Sequence, residues 1–284
     1  MIKKIKGFIE LTRLDKPIGI YLLFWPSFIG LLLGTINAGS IEFKNYFILI
    51  TGTILVRSCG CIINDINDYK FDKLVSRTKN RPLASGKIGL AEAWLYFILL
   101  AILSLSLLFF VPPFTIYISL LVAVFIMIYP LTKRFLKAPQ FFLGITFGSG
   151  TIISYSLVSS DFTLSLVVLF VGTVSWIISF DTIYAFEDIA DDLKIGIYST
   201  PILWGDQALS ISKYLHLIFY LSLSFIGYIN KFSLLFILML IILFVLFVQQ
   251  KRLINNKQYL DAFKFNNWIG MVASLGFIVE TFLV

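Results

Sequence analysis

Eight of the sixteen carboxylates in this chain fall in two short stretches of an otherwise apolar sequence. The first runs Asn64-Asp65-Ile66-Asn67-Asp68-Tyr69-Lys70-Phe71-Asp72 and places Asn64, Asp65, Asp68 and Asp72 at three-, four- and seven-residue offsets. Those offsets stack side chains on one face of a helix. The second stretch holds Asp181, Glu187, Asp188, Asp191 and Asp192, and Asp181, Asp188 and Asp192 repeat the same offsets. Like charges four residues apart disfavour a helix by roughly 0.2–0.5 kcal/mol per pair in water, and by more beside a low-dielectric bilayer. A hard cation reverses that sign, and carboxylate and amide oxygens are the ligands magnesium accepts. An acidic solvated loop is the plain alternative. The recurrence weighs against it: Asp68 and Asp188 are 120 residues apart, and so are Asp72 and Asp192. Two related half-bundles, about 1–135 and 136–284, each turning an acidic face to a shared cavity, would produce that repeat.

Basic residues flank the first stretch in the run Arg77-Thr78-Lys79-Asn80-Arg81-Pro82-Leu83-Ala84-Ser85-Gly86-Lys87, and Lys133, Arg134 and Lys137 follow further on. Arginine and lysine next to bound magnesium suit diphosphate oxygens, arginine by bidentate contact. The chain has no GxxxxGK[ST] phosphate cradle and no GxGxxG turn, so a nucleotide fits less well than a membrane-embedded phosphate ester.

The elements that must position these groups are membrane helices. Hydrophobic residues make up 58% of the chain, charged residues 14%, and the mean hydropathy is +0.91, against about a quarter charged in soluble chains. An all-α polytopic bundle of nine transmembrane helices is expected, near 17–38, 45–63, 91–111, 114–131, 139–158, 163–184, 212–229, 231–249 and 266–284. The first apolar run contains Pro17 and Pro26 and reads as a retained helix, not a cleaved signal. Twenty of the 23 Lys and Arg fall on one side of that arrangement, and only Lys44 and Lys231 on the other. The positive-inside rule then puts the amino terminus in the cytoplasm, the carboxy terminus outside and both acidic stretches at the cytoplasmic edge. The net charge of +7 is thereby accounted for without a nucleic-acid partner.

Arg57 remains inside the second span, two helical turns deeper than Asn64 and on its face. It would serve a structural ion pair or capture an anionic substrate. Cys59 and Cys61 are too close for a sound disulfide and lack metal partners, so they read as packing residues. His216, the single histidine, reads as a packed histidine of the seventh span.

The pattern N-D-x-x-D-x-x-x-D at Asn64–Asp72, followed by Arg77, Asn80-Arg81-Pro82 and Ser85-Gly86, resembles the first motif of the UbiA-type intramembrane prenyltransferases. Asp181 through Asp188, then Asp191-Asp192, Lys194, Gly196 and Ser199-Thr200, resembles their second. Arg13-Leu14-Asp15-Lys16-Pro17-Ile18-Gly19, with Trp25-Pro26, Tyr129-Pro130, Lys133-Arg134 and Pro139-Gln140, is similar to the branch that prenylates 4-hydroxybenzoate in ubiquinone synthesis. The resemblance covers nearly the whole chain and implies a helix bundle whose central cavity opens to lipid. It implies Mg2+ as cofactor, held by Asn64, Asp68, Asp181, Asp188 and Asp192; the shared helical face adds Asp65 and Asp72 as candidate metal ligands. Polyprenyl diphosphate and 4-hydroxybenzoate are the implied substrates, in a bacterial inner membrane. Arg77, Arg81, Lys133 and Lys194 would hold diphosphate, Arg57 the acceptor carboxylate, and Asp191 could accept the phenolic proton, with Asp68 and Asp188 central to catalysis.

Rival readings remain. A transporter places polar groups near the bilayer midplane, whereas here nearly every charge lies at one edge. A phosphatidyl-alcohol transferase would carry a single acidic motif with interleaved glycines. The same chemistry on homogentisate, a naphthoate or a porphyrin differs only in the acceptor.

Overall fold

A computed structural model describes residues 2–74 and 78–283; Arg77, expected to bind diphosphate, lies outside the described residues. Helices α1 (Ile2–Leu11), α2 (Ile18–Ala38), α3 (Phe43–Asp72), α4 (Leu90–Ser106), α5 (Pro113–Thr132), α6 (Pro139–Tyr155), α7 (Leu164–Ala185), α8 (Ile189–Ile195), α9 (Thr200–Trp204), α10 (Ala208–Ile229), α11 (Leu234–Asn255), α12 (Tyr259–Lys264) and α13 (Asn266–Leu283) follow in order. No strand occurs among the described residues. Among the described residues, eight helical segments are long and apolar enough to cross a membrane. The remaining expected span, 139–158, corresponds to α6, which has 17 residues and packs between α2 and α7. The chain is a multi-pass integral membrane protein.

Its helices start and stop where the sequence dictates. Gly39 ends α2 in the left-handed region at φ 64°, a conformation that costs glycine little. Pro112 and Pro113 interrupt the polypeptide between α4 and α5, because proline cannot extend the preceding helix. Helix α3 has 30 residues, about 45 Å at 1.5 Å per residue, against about 30 Å of hydrocarbon. Its last turns therefore emerge from the apolar layer, and those turns carry the first acidic motif. The motif is thus an uninterrupted extension of a membrane span.

Layer by layer, α2, α6, α7, α10 and α13 form the centre, where Trp176 stacks on Phe219 with ring centroids 4.7 Å apart. The indole Nε1 groups of Trp25 and Trp176 donate to Asn267 and Asn266 at 2.9 and 2.8 Å, so two adjacent asparagines fix the start of α13. Hydroxyls join neighbouring helices: Thr151 with Thr173, Ser179 with Ser212, Thr182 with Thr200, and Ser154 to the Ser27 carbonyl. Such bonds and small residues are how helices bind one another where burial from water gives no drive. By contrast, α4 buries only Ala93 and turns Leu95, Ile98, Leu99, Ile102 and Leu103 outward, as a lipid-facing helix should. His216 is buried against Tyr220 and Phe247, and Cys59 and Cys61 are buried free thiols.

Candidate active site

A cavity of about 1380 Å³ runs down the bundle, bounded mainly by α2, α3, α5, α6 and α7. At its polar end the end of α3 meets the end of α7. Asn64, Asp65, Asp68 and Asp72 line it from the first motif, and Asp181, Asp188 and Asp192 from the second, with Arg57, Arg81 and Lys133 between. The two acidic stretches therefore share one mouth. The second motif is not one helix, as repeated offsets would suggest. Helix α7 ends at Ala185, the chain turns through Phe186–Asp188, and Asp188 is the N-cap residue of α8. Glu187, in that turn, accepts from the backbone N–H of Leu260 at 3.0 Å and so ties the second motif to α12. Thr200 is anchored by Gln140 Oε1 at 3.0 Å, and the Tyr198 N–H donates to the Lys133 carbonyl at 3.2 Å. These bonds hold the segment after α8 against the end of α5 and the start of α6.

On α3 the carboxylates divide by helical position. Asp65 and Asp72 are seven residues apart, about 20° around the helix, and both reach Arg81: Nη1 lies 3.3 Å from Asp65 and 2.9 Å from Asp72. Asp65 also accepts from Arg13, whose Nη2 lies 2.7 and 2.8 Å from its two oxygens, and is only 1% exposed. Both are among the expected metal ligands, and in this structure their oxygens accept from guanidinium groups. The loop behind α3 makes this possible, since Thr78 Oγ1 donates to the Asp72 carbonyl at 3.0 Å and folds the basic run back over the helix end. Arg13 sits at φ 59°, an uncommon conformation for a side-chain-bearing residue, and its bond to Asp65 is what that turn delivers. Sequence reasoning placed Arg13 only in the opening motif and missed this pairing. Asp68 lies on the neighbouring face, 3.5 Å from Arg134 Nη2, which also donates to the Asn67 carbonyl at 2.9 Å.

Electrostatics keep the cationic side charged. Burial disfavours the Arg81 charge, but Asp65 and Asp72 outweigh it and raise its pKa further. Burial likewise opposes the Lys133 ammonium, while Tyr129, Asp68 and Asp181 more than compensate and push its pKa above the usual lysine range. Deeper in, Arg57 lies 5.5 Å from the Phe147 ring centroid, and its buried Nε has no hydrogen-bond partner among the described residues. A Cβ on Gly19 would come within 2.6 Å of the Arg57 Nε and Nη2. The glycine of the opening motif therefore makes room for that guanidinium against α2.

Two expected site residues are not brought in. Lys194 Nζ pairs with Asp191 Oδ1 at 3.5 Å, its side chain is 74% exposed, and neither residue lines the cavity. Position 191 lies about 100° around the helix from Asp192, off the wall.

Among the described residues no three His, Cys, Asp or Glu side chains converge into a ready metal cage. The donor set still fits magnesium, which binds through one or two carboxylates plus substrate phosphates and dispenses with all-protein cages. The sequence profile of the UbiA prenyltransferase family matches residues 23–272. The chain belongs to the UbiA prenyltransferase family. A 4-hydroxybenzoate octaprenyltransferase of Vesicomyosocius okutanii is 36% identical over 94% of this UbiA-family chain and 98% of its own. Further relatives at 35–37% identity bear the same name. The apo UbiA homologue of Aeropyrum pernix K1 superposes with a TM-score of 0.79 at 21% identity, over 90% of this chain and 97% of that one. A UbiA homologue of Archaeoglobus fulgidus bound to GPP and Mg2+ superposes at 0.72 and 18% identity, over 98% of each. At those identities the likeness to the solved structures establishes the UbiA fold.

Proposed function

We propose that the chain transfers a polyprenyl group from polyprenyl diphosphate to the ring of 4-hydroxybenzoate, ortho to the hydroxyl, in ubiquinone biosynthesis. It does so in a bacterial inner membrane, with its amino terminus in the cytoplasm and its carboxy terminus outside. The observation that carries this reading is a single cavity lined by both acidic helix ends, by Arg81 and Lys133, and by Arg57. The name shared by its full-length relatives supports the choice of acceptor.

Magnesium, bound at the mouth, supplies charge neutralisation that makes diphosphate a competent leaving group. Asn64 and Asp68 on α3, with Asp181, Asp188 and Asp192 from α7 and α8, would hold it. Arg81 and Lys133, with Arg77 from the same sequence motif, bind the diphosphate oxygens. Asp65 and Asp72 orient Arg81 for that task. The apolar walls keep water from the allylic carbon as its bond to oxygen lengthens. Arg57, seven residues and about 10 Å below Asn64 along α3, receives the carboxylate of the aromatic acid. Asp191 and Lys194 take no part in this arrangement.

Membranes containing the protein, given 4-hydroxybenzoate, a polyprenyl diphosphate and magnesium, are expected to form the 3-prenylated acid. Chelator should stop the reaction and added magnesium restore it. Product formation at an unchanged rate in excess chelator would contradict the metal assignment. Turnover of homogentisate or a naphthoate in place of 4-hydroxybenzoate would transfer the chemistry to another acceptor.

Arg57→Ala is expected to raise KM for 4-hydroxybenzoate by about ten- to a hundredfold, the loss of about 1.5–3 kcal/mol from a hydrogen bond to a charged group. KM for the prenyl diphosphate should move little. Equal changes in both would remove the assigned role.

A further inference from the structure

Most interior helix glycines here have a steric reason. A Cβ on Gly144 would lie 2.7 Å from Ile178, on Gly172 2.6 Å from Ser222 and on Gly270 2.5 Å from Trp25. Gly52 and Gly60 on α3 are different. A Cβ at Gly52 would meet only Leu107 at 3.6 Å, and at Gly60 only Ile126 at 3.8 Å, both ordinary contacts. Neither has a positive φ. Each nonetheless costs the helix about 1 kcal/mol relative to alanine. Packing does not explain that cost. Both residues line the cavity, in the i, i+4 row that winds along α3 to Asn64 and Asp68.

We propose that Gly52 and Gly60 keep open the apolar arm of the cavity along α3 and set the length of prenyl chain that can enter it. This rests on reading the mouth as the prenyl-diphosphate site. Gly60 is eight residues from Asp68, about 12 Å, and Gly52 is sixteen residues away, about 24 Å. An extended isoprene unit, with four main-chain carbon–carbon bonds of about 1.5 Å each, adds about 5 Å. The second unit of a chain therefore ends just short of Gly60, and the fifth reaches Gly52. The arm continues to Ile48, Leu49 and Thr115, at the far ends of α3 and α5. A chain following it passes Gly60 first, then Gly52. Side-chain volume at Gly52 acts on long donors alone, and volume at Gly60 acts on all but the shortest.

The test is kcat/KM with 4-hydroxybenzoate for two donors, geranyl diphosphate with two units and octaprenyl diphosphate with eight, in the series Gly52→Ala, Gly52→Val and Gly52→Leu. The eight-unit to two-unit ratio should fall stepwise with side-chain volume, by at least tenfold at leucine. In Gly60→Leu, farnesyl diphosphate, with three units, should also be lost relative to geranyl diphosphate. A ratio that stays constant along the Gly52 series overturns the proposal, whether overall activity holds or declines with folding. A ratio that falls only for the Gly60 variant overturns it too, because the chain must then leave the bundle sideways before reaching Gly52. Turnover of either donor by the unsubstituted chain upholds the underlying function independently of these ratios; no turnover by that chain would overturn both.

Discussion

Asp68→Ala and Asp188→Ala are each expected to lower kcat by about 10²–10³-fold or more, the usual cost of removing a group that stabilises transition-state charge. Both should leave a folded protein in detergent. Asp68 lies at the emergent end of α3 and Asp188 at the turn between α7 and α8, and both line the mouth. Both positions lie at the cavity mouth, away from the hydroxyl and indole bonds of the bundle centre, so the loss should appear in turnover and not in the unfolding transition. The double variant should be scarcely worse than either single one, because residues that act as a unit lose their joint effect once. Asp68→Asn, which keeps an oxygen ligand without its charge, should retain some activity and need more magnesium for half-maximal rate. The measurement is product formation against magnesium concentration, with melting curves run in parallel. Full activity in either alanine variant would strike the metal assignment.

The general placement of this site was legible because two separate signals agreed. Carboxylates are scarce in an apolar chain, and the Lys and Arg asymmetry puts both acidic stretches at one edge, in keeping with the one cavity they line. Arg57 stood out for the same reason, as a charge within a span. The division of labour along α3 was not legible. Offsets of three, four and seven put Asn64, Asp65, Asp68 and Asp72 on one broad face, yet Asp65 and Asp72 point along one line and Asn64 and Asp68 along the next. Which cation each line meets depends on where α1, the loop of Thr78 and Arg81, and the Lys133–Arg134 end of α5 fold, and those are tertiary facts. Arg13 was hidden among positive charges that orient the chain, and only its turn at positive φ brings it to Asp65. The break at Phe186–Asp188 was equally hidden, since no proline or glycine marks it; Glu187 is drawn instead to the start of α12. That break is why Asp191 and Lys194 lie aside while Asp188 and Asp192 line the cavity.

Asp65→Ala is expected to destabilise the folded protein by about 3–5 kcal/mol, the range for removing one partner of a buried ion pair. The carboxylate is almost wholly buried between Arg13 and Arg81; without it Arg13 loses its carboxylate partner and Arg81 keeps only Asp72. Asp65→Asn should cost less, because an amide oxygen still accepts hydrogen bonds. Adding Arg13→Met to Asp65→Leu should recover part of the loss, since removing both partners of a buried pair costs less than removing one. Unfolding in detergent by heat or denaturant measures all three. The magnesium titration then separates Asp65 from Asp68. If Asp65 orients Arg81 and does not touch the metal, Asp65→Asn should weaken diphosphate binding and leave the magnesium midpoint where it was. Should Asp65→Asn shift that midpoint as Asp68→Asn does, at unchanged stability, the carboxylate turns from the guanidinium groups to the metal when substrate arrives. The ion-pair geometry would then describe only the substrate-free form.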